Sequence, residues 1–306
     1  IGKFPYASLK GKGNYACRLR YNEFLDQSPE RQFPDFDFDK FAQWLEQDSV
    51  GEFASYGDVP FAWQVRVTEC VKEHCPNLAG CGYAANRLYA KDAEILVVNL
   101  SLLALDLQLG RGKVLGDYDM LVVDEAHQLS DFATKAYAFE LNYGQVEQLE
   151  RGLQGDHRVK IPESLSAAYE GLFNMLTRME SGVFPVIPAT ERALASVSSG
   201  LNELKTALQR YGVKVEVAAP DDALTSEAPP ASDVNTARRL GRLNSVGGVV
   251  AKLLRAIETI KAKREDFVTL IERRDVRDVP KITVTPLEVG TFLGPALQEC
   301  GKVILT

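Results

Sequence analysis

Hydrophobic residues follow two different rhythms along this chain, and each rhythm predicts a different kind of structure. Two short segments, "AEILVVNL" and "YDMLVVD", are almost continuously apolar, as strands are when a parallel sheet is covered on both faces. The helix-like segment "SLLALDLQLG" separates them. Two such strands joined through a helix predict a parallel α/β sheet, with the first strand buried on both faces.

From about residue 131 onward, apolar residues instead recur every three or four positions, which is the period of amphipathic helices. We expect these helices to pack on one another as a helical block. After the block, "PLEVGTFLGPALQECGKVILT" predicts a helix followed by a strand, so the block is inserted into the α/β domain. The three helical stripes are Leu165, Tyr169, Leu172, Leu176 and Met179; Leu194, Val197, Leu201, Leu204, Leu208 and Tyr211; and Leu240, Leu243, Val246, Val250, Leu253 and Ile257.

Shorter patterns fill the remaining parts of the chain. "SLKGKGNYACRLRY" is basic and broken by glycine, which predicts a loop that leads into a short helix. "DFDFDKFAQWLEQ" starts with acids and continues as an amphipathic helix, and "AANRLYAKD" is also helical. "DFVTLIERRD" and "KITVTPL" predict a hairpin, whereas "AAPDDALTSEAPPASD" (218–233) predicts a flexible loop.

Composition and the two ends of the chain limit the class of protein and the compartment that we expect. The 306 residues are 45% hydrophobic and 25% charged, with a formal net charge of −7. No apolar run approaches the roughly 20 residues of a membrane span, and no signal segment is visible, so we expect a cytoplasmic, monomeric protein with reduced thiols. The chain starts without methionine and stops inside a strand-like run. We therefore expect it to be a piece of a longer protein.

Charge is distributed unevenly near the start of the chain. Residues 1–22 contain five cations and no acid, whereas residues 23–58 contain ten acids against Arg31 and Lys40. The basic stretch is suited to an anionic partner, but a solvated surface arm would have the same composition. Both interpretations stay open. The five cations are Lys3, Lys10, Lys12, Arg18 and Arg20.

The segment "LVVDEAH" carries the first candidate chemistry. An apolar strand that delivers Asp124 and Glu125 at its carboxyl end matches the second acidic motif of P-loop NTPases. There the aspartate holds a magnesium ion that bridges two phosphates, and its neighbour positions the attacking water. A strand that runs into an acidic helix cap is the alternative. The phosphate loop G-x-x-x-x-G-K-[ST] is missing from this sequence, so we expect no ATP hydrolysis by this chain alone.

The cysteines carry the second candidate chemistry. Cys70, Cys75 and Cys81 are separated by four and five residues, wider than the usual C-x2-4-C pairs of zinc sites. Iron–sulfur clusters take four thiolates at less regular spacing, and Cys17 is the natural fourth ligand, because the 52 residues before Cys70 can close back. The spacing of the cysteines favours an iron–sulfur cluster, but a zinc site remains an alternative. Cys300 is expected to be a buried free thiol.

These residues together resemble a known family. "SLKGKGNYAC", the C-x4-C-x5-C spacing and "DEAH" are similar to the DinG-like branch of the XPD-like superfamily 2 DNA helicases, which are iron–sulfur enzymes that move 5′ to 3′ on single-stranded DNA. The closing "PLEVGTFLGPALQECGKVILT" resembles the segment that precedes the family's Ser-Ala-Thr motif. The resemblance is good on both flanks and in the cysteine region. Across the helical insert only the architecture matches.

The resemblance implies a fold class and a division into domains. The fold would be α/β with an α-helical insert: an incomplete, parallel-sheet, RecA-like motor domain that carries a small iron–sulfur domain and a mostly helical Arch domain. The motor domain would take residues 1–12, 86–130 and 284–306. The iron–sulfur domain would take residues 13–85, and the Arch domain residues 131–283.

The resemblance also implies the ligands and roles of the site residues. Cys17, Cys70, Cys75 and Cys81 would hold a 4Fe–4S cluster, locking a small domain with little core of its own. In the intact protein Asp124 would hold Mg²⁺, Glu125 would activate water for ATP hydrolysis, and His127 would link the nucleotide to DNA movement. The chain departs from the family at Leu100, where a histidine commonly follows the residue equivalent to Asn99.

Single-stranded DNA is the expected partner, in a helicase of DNA repair. Strand binding needs cations for phosphates and aromatic faces for bases. Both are present next to the first cysteine, as Lys10, Lys12, Tyr15, Arg18 and Arg20, with Tyr21 directly after them. Packing around the cluster is the other role open to the tyrosines. Two rivals to the helicase remain: a non-enzymatic, metal-stapled module that binds nucleic acid or protein, and a zinc-stapled DNA-binding protein with an incidental DEAH string.

Overall fold

The strands form small sheets that pair segments far apart in the sequence. In the computed structural model the described residues are 4–48, 50–68, 70–217, 233–275 and 277–306. They fall into two compact units. The first takes residues 1–106, 110–118 and 219–241, and the second takes residues 107–109, 119–218 and 242–306. The loop predicted at 218–233 lies outside the described residues except for Asp233.

The first unit has one parallel strand pair and several short helices. Strands β1 and β2 pair in parallel, with Tyr6 opposite Ile95 and Leu9 opposite Val98. The last helix of this run, α6, crosses the boundary between the units. The elements are β1 (Tyr6–Leu9), α1 (Arg18–Leu25), α2 (Phe38–Gln47), α3 (Phe53–Tyr56), α4 (Ala62–Val65), α5 (Gly82–Lys91), β2 (Ile95–Val98) and α6 (Leu100–Leu109).

The second unit has a parallel pair, an antiparallel sheet and long helices. Strands β3 and β8 pair in parallel, and the antiparallel sheet has the order β4-β7-β6-β5. Helix α11 begins in the first unit and continues in the second. The elements are β3 (Met120–Val123), α7 (Leu129–Tyr137), β4 (Phe139–Asn142), α8 (Gly144–Leu153), α9 (Glu163–Thr177), β5 (Gly182–Pro185), α10 (Pro188–Arg210), α11 (Val234–Lys261), β6 (Phe267–Arg273), β7 (Lys281–Pro286), α12 (Gly290–Gln298) and β8 (Lys302–Leu305).

The mixed α/β character and the parallel pairing of strands are confirmed. The two apolar strands do not share one sheet, however, because β2 pairs with β1 and β3 pairs with β8. The predicted burial of β2 on both faces is also wrong. "AEILVVNL" is not buried on both faces: Ile95 and Val97 are about half exposed, at 48% and 52%. Met120 and Val122 of β3 are exposed as well. In a two-stranded pair, side chains alternate between the two faces, and here only one face is packed. On that face Leu96 and Val98 pack with Ala7, Leu9 and Ala90.

Residues 18–61 build a small aromatic core in the first unit. Phe41 and Phe61 are fully buried, and the Phe61 ring lies 4.8 Å from Phe24 and 4.7 Å from Phe36. Helix α2 begins where the sequence predicts it, because the Asp37 carboxylate accepts the backbone N–H of Lys40 at 2.9 Å. The expectation that this domain has little core is therefore wrong for this part of it.

A buried aspartate organises the loop after α6, which the sequence analysis did not single out. The Asp106 carboxylate is fully buried and accepts hydrogen bonds from backbone N–H groups and from a tyrosine hydroxyl. Donors that converge on both oxygens stabilise the charge inside the protein. The donors are Gly112 N (2.9 Å), Val114 N (2.7 Å), Leu115 N (3.0 Å) and the Tyr118 hydroxyl (3.1 Å).

The helical stripes form the core of the second unit, as predicted. Leu172, Leu201 and Ile257, one from each stripe, are fully buried and belong to one hydrophobic cluster. The hairpin is confirmed as β6–β7, with Phe267 opposite Pro286. Two further strands, β4 and β5, extend it into a sheet that contributes Leu141, Ile271 and Ile282 to the same cluster. Because these strands are only four residues long, their sequence pattern gave no period to detect.

Helices α9 and α10 touch at a glycine, which generates a stability prediction. A Cβ atom on Gly200 would lie 2.6 Å from Leu165 Cα and 2.9 Å from Leu165 N. Gly200→Ala must push the two helices apart, so we expect the free energy of unfolding to fall by about 1–3 kcal/mol in urea titrations. Gly171→Ala is the control, since nothing lies within 4 Å of its added Cβ. Equal stability of the two variants would contradict the close contact.

Candidate functional site

A short backbone ladder brings Cys17 to the other cysteines. The Cys17 N–H donates to Val65 O at 2.7 Å, and the Val67 N–H donates to Tyr15 O at 2.8 Å. On the other side of this segment, the Ala16 N–H donates to Gly51 O at 2.8 Å. The segment 15–17 is thus held between residues 51–52 and 65–67. Because Val67 is three residues before Cys70, the ladder carries Cys17 to the cysteine-rich segment.

Two of the cysteines lie at the N-terminal ends of helices. Cys17 immediately precedes α1 and Cys81 immediately precedes α5, in the N-cap position. Cys75 follows the 3-10 turn Lys72–His74, in which Lys72 has a left-handed φ of 50°. Backbone N–H groups at a helix start are free of intrahelical partners. They therefore face the sulfurs of Cys17 and Cys81, although neither sulfur makes a cap hydrogen bond of standard geometry.

The thiols of Cys17, Cys70 and Cys81 have raised pKa values, and burial is the main cause for each. Against burial, the N–H of Arg20 lowers the pKa of Cys17, that of Lys72 lowers the pKa of Cys70, and that of Ala84 lowers the pKa of Cys81. The neighbouring sulfurs, including that of Cys75, raise these pKa values further. Every pair among the four sulfurs is joined by such an interaction.

The four sulfurs are thus close enough to influence one another's pKa values, and an apolar shell lies beside them. Tyr15, Val67 and Tyr83 are buried, and Cys17, Cys70 and Cys81 pack against them. A cavity of about 790 Å³ opens beside Cys70 and Cys81. Within the described residues, however, no group of three or more His, Cys, Asp or Glu side chains has the geometry to hold a metal ion.

The predicted DNA-contact residues surround Cys17, but they are occupied within the unit. Tyr15 is buried, with its ring 5.2 Å from that of Tyr83, so its position suits packing and not base stacking. Lys10 pairs with Glu52. The Arg18 Nη1 donates to Gly80 O at 2.8 Å, and Arg20 donates to Gln64 O and to the Thr68 hydroxyl, both at 2.9 Å. Lys12 lies in the 3-10 turn Lys12–Asn14 and is half-buried.

The DEAH segment lies at the carboxyl end of β3, as predicted, with both acids exposed. Glu125 has a left-handed φ of 51°, and its backbone N–H donates to Asp124 Oδ1 at 3.0 Å. The Glu125 Oε2 lies 3.3 Å from His127 Nδ1. The structure thus brings the three predicted residues into one exposed turn, in which Glu125 contacts both of the others.

Thr306 is a member of this turn that the sequence analysis missed. Its N–H donates to Val123 O at 3.0 Å, and its carbonyl accepts the Ala126 N–H at 3.0 Å. Its hydroxyl lies 3.2 Å from Asp124 Oδ1 and 3.3 Å from Val123 O. The parallel pairing of β3 with β8 sets Thr306 beside the acids, and this pairing is a register that no local pattern reveals. In the sequence, the only indication of a role for Thr306 is that a hydroxyl-bearing residue ends the predicted strand.

Asn86 is a second missed residue, beside the cysteines. It is buried in α5, and its Nδ2 donates to Ser8 O at 3.0 Å, which ties the helix that starts at Cys81 to strand β1. The same Nδ2 lies 3.5 Å from the Tyr15 hydroxyl, which also accepts the Lys10 N–H at 3.0 Å. The sequence could have indicated this residue, because Asn86 is a single amide side chain on the face of the predicted helix that packs against the rest of the unit.

No protein-family model matches the chain, but curated proteins do. The helicase named ATP-dependent DNA helicase YoaA of Haemophilus influenzae is 27% identical over 167 residues, which are 51% of this chain and 26% of that protein. YoaA of Escherichia coli is 27% identical over 169 residues, 52% of this chain and 26% of that protein. The ATP-dependent helicase DinG of Mycobacterium tuberculosis is 28% identical over 184 residues, 53% of this chain and 27% of that protein.

Two solved structures are also similar in part. One, described as "XPD_APO", covers 70% of this chain and 35% of its own, at 13% identity and a TM-score of 0.34. The second, described as "Structure of S. tokodaii Xpd4", covers 72% of this chain and 40% of its own, at 14% identity and a TM-score of 0.37. These scores are too low for an inference about the fold.

The chain spans about a quarter of the length of the curated relatives that it matches. Within the described residues, no helix has both the length and the apolar character that crossing a membrane requires. Over about half of its own length the chain is similar to the ATP-dependent helicases YoaA and DinG, and this confirms its resemblance to the DinG-like branch.

Proposed function

We propose that the protein is a portion of an ATP-dependent DNA helicase that moves 5′ to 3′ on single-stranded DNA and holds a 4Fe–4S cluster. Residues 13–85 would be the cluster domain and residues 131–283 the Arch domain. The observation that supports the proposal is the backbone ladder that carries Cys17 to the segment of Cys70, Cys75 and Cys81, in a protein that also sets Asp124 and Glu125 at a strand end. The names of the relatives supply the activity.

Cys17, Cys70, Cys75 and Cys81 would hold the cluster. Their surroundings fit it in three ways: the sulfurs are within electrostatic range of one another, N–H groups face three of them, and apolar side chains cover one side. Four thiolates are the ligand set that a 4Fe–4S cluster would take from these residues. When bound, it supplies four iron–thiolate bonds that cross-link these segments.

Asp124, Glu125 and His127 would form the acidic half of a nucleotide site in the intact protein. Asp124 would hold the Mg²⁺ that accompanies ATP, and Glu125 would orient the attacking water and accept its proton. The left-handed turn at Glu125 directs its side chain towards His127 and keeps Asp124 at the strand end. Since the phosphate-binding loop is missing from this sequence, ATP hydrolysis requires a part of the protein beyond this chain.

Thr306 would act as a positioning residue for the magnesium ligand. Its hydroxyl and the Glu125 N–H both face Oδ1 of Asp124, so the second carboxylate oxygen stays available. Single-stranded DNA would be the partner. Lys10, Lys12, Arg18 and Arg20 remain candidates for phosphate contacts, whereas the burial of Tyr15 favours the packing role.

The cluster assignment is tested by replacing its ligands. Cys75→Ser and Cys81→Ser should each remove the visible iron–sulfur absorbance of the anaerobically purified chain and lower its iron and sulfide content. The protection of amides against hydrogen exchange should fall chiefly at residues 70–82, because residues 18–61 have their own aromatic core.

Cys300→Ser is the matched control. Cys300 is buried at 1% exposure and its sulfur faces Ala296 O at 3.3 Å, so this variant should keep both the iron and the absorbance. Full absorbance in Cys75→Ser would refute the ligand assignment, and zinc without sulfide in the wild-type chain would favour the zinc-stapled alternative.

The catalytic assignment is tested in the full-length protein. Glu125→Gln should lower the rate of ATP turnover by at least about 100-fold, because a general base contributes about 10²–10⁴. ATP binding, measured with a fluorescent nucleotide, should remain close to wild type. Glu299→Gln, at an exposed acid of the same unit, should leave turnover unchanged. Normal turnover in Glu125→Gln would remove the catalytic claim.

The positioning role of Thr306 predicts a change in magnesium dependence. In the full-length protein, Thr306→Val should raise the Mg²⁺ concentration for half-maximal nucleotide binding about three- to tenfold, the equivalent of one ordinary hydrogen bond at an exposed position. Thr306→Ser keeps the hydroxyl and should restore the wild-type value. An unchanged magnesium dependence in Thr306→Val, with the fold intact, would exclude the role.

A further inference from the structure

We propose that Trp63 is a base-stacking residue for single-stranded DNA, with the neighbouring Arg66 as a phosphate contact. The inference deepens the proposed function and rests on it, since it names the side chains that would hold the strand on the first unit. None of the aromatic residues predicted from the sequence takes this role. Tyr15 and Tyr21 are both buried, at 1% and 3% exposure.

Trp63 is exposed to an unusual degree. Its exposed fraction is 65%, although tryptophan is among the side chains that gain most from burial. The other tryptophan, Trp44, packs in the aromatic core: its ring lies 5.2 Å from Phe41 and from Tyr56, and its Nε1 donates to the Ser55 hydroxyl at 3.2 Å. The two tryptophans thus have different environments, and only Trp63 presents an indole face to solvent.

The helix that carries Trp63 is held firmly in place. Phe61 and Val65 on either side of it are fully buried. The Val65 carbonyl accepts the Cys17 N–H at 2.7 Å, and the Gln64 carbonyl accepts the Arg20 Nε at 2.9 Å. The backbone that carries the ring is therefore fixed before DNA binds, as a stacking platform requires.

One exposed cation follows this ring closely along the chain. Arg66 comes three residues after Trp63, directly after the end of α4, and is exposed. Its backbone bridges to Ala16, and its side chain lies against the Lys12–Asn14 turn, where an added Cβ on Gly13 would be 3.8 Å from Arg66 Cδ. Residues 4–22 contain cations and no acid. An exposed indole near a cation is the combination that binds single strands independently of their sequence.

The test uses the intrinsic fluorescence of the chain, which contains two tryptophans. Oligothymidylate should quench the emission of the wild-type chain. The quenching should be lost in Trp63→Phe and kept in Trp44→Phe, so each variant is the control for the other. In anisotropy titrations with labelled oligothymidylate, Trp63→Ala should bind about five- to 100-fold more weakly, the range for one stacked base.

The salt dependence tests the phosphate contact separately. Arg66→Gln should reduce the slope of log K against log salt by about 0.7, the value for one contact on a single strand. Lys261→Gln, at an exposed lysine of the second unit, should leave the slope unchanged. An unchanged slope in Arg66→Gln would remove Arg66 from the surface.

The failures of this inference and of the proposed function can be told apart. If the wild-type chain binds oligothymidylate and folded Trp63→Ala binds it equally well, only the stacking role fails. If Trp63→Ala instead changes the oligomeric state in light scattering, the ring belongs to an interface with a second copy of the chain, and the inference is overturned. If the wild-type chain binds no oligothymidylate, the single-stranded DNA partner of the proposed function fails with it, whatever its iron content.

Discussion

The cysteine site depends on one backbone ladder, in which residues 15–17 lie between residues 51–52 and residues 65–67. Three hydrogen bonds of 2.7–2.8 Å hold it. The carboxylate of Asp48 fixes one side, because it accepts the N–H groups of Val50 and Gly51 and so shapes the turn that presents the Gly51 carbonyl. These N–H groups lower the pKa of Asp48, although burial, the largest single effect, opposes them. Without this ladder, Cys17 would have no reason to lie near cysteines more than fifty residues away.

The ladder also explains why the basic segment is less available to DNA than its composition indicates. The same backbone that delivers Cys17 turns Tyr15 inward against Tyr83, and Arg18 and Arg20 reach across to carbonyl oxygens of the segments on either side. Their charge then stabilises the path of the chain around the cysteines. A cation cluster in a sequence therefore has two competing uses, and only the structure shows how much of each side chain is already engaged.

Much of the architecture was visible in the sequence because long periodic patterns leave little choice. The stripes of α9, α10 and α11 bury most of the residues predicted, although Tyr211, just after α10, is 42% exposed. "LVVDEAH" ends a parallel strand with its acids exposed. The four-residue strands β1, β4 and β5 were missed because so short a segment shows no period and these three lack the continuous apolar run that marks β2 and β3. Burial of β2 on both faces was predicted wrongly. Its apolar composition shows that the strand could be buried, but it does not show whether another element packs on each face. The position of Thr306 beside the acids follows from the register of β3 and β8, and the role of Trp63 follows from its exposure. Neither property can be read from a local sequence pattern.

The first unit has an aromatic core in one part and only a small apolar core beside the cysteines. The effect of a bound cluster should therefore differ between these two parts. Residues 18–61 pack phenylalanine rings around the fully buried Phe61, and nothing in that core depends on sulfur. Around the cysteines the buried apolar core is small, consisting of Tyr15, Val67 and Tyr83, and residues 78–80 are exposed. Apolar burial of this size stabilises a segment weakly. Iron–thiolate bonds would therefore matter most for residues 70–82, whereas the aromatic part would keep its fold without them. Residues 18–61 are then best understood as a part whose core needs no sulfur, and the cysteine segment as the part whose order depends on its ligand.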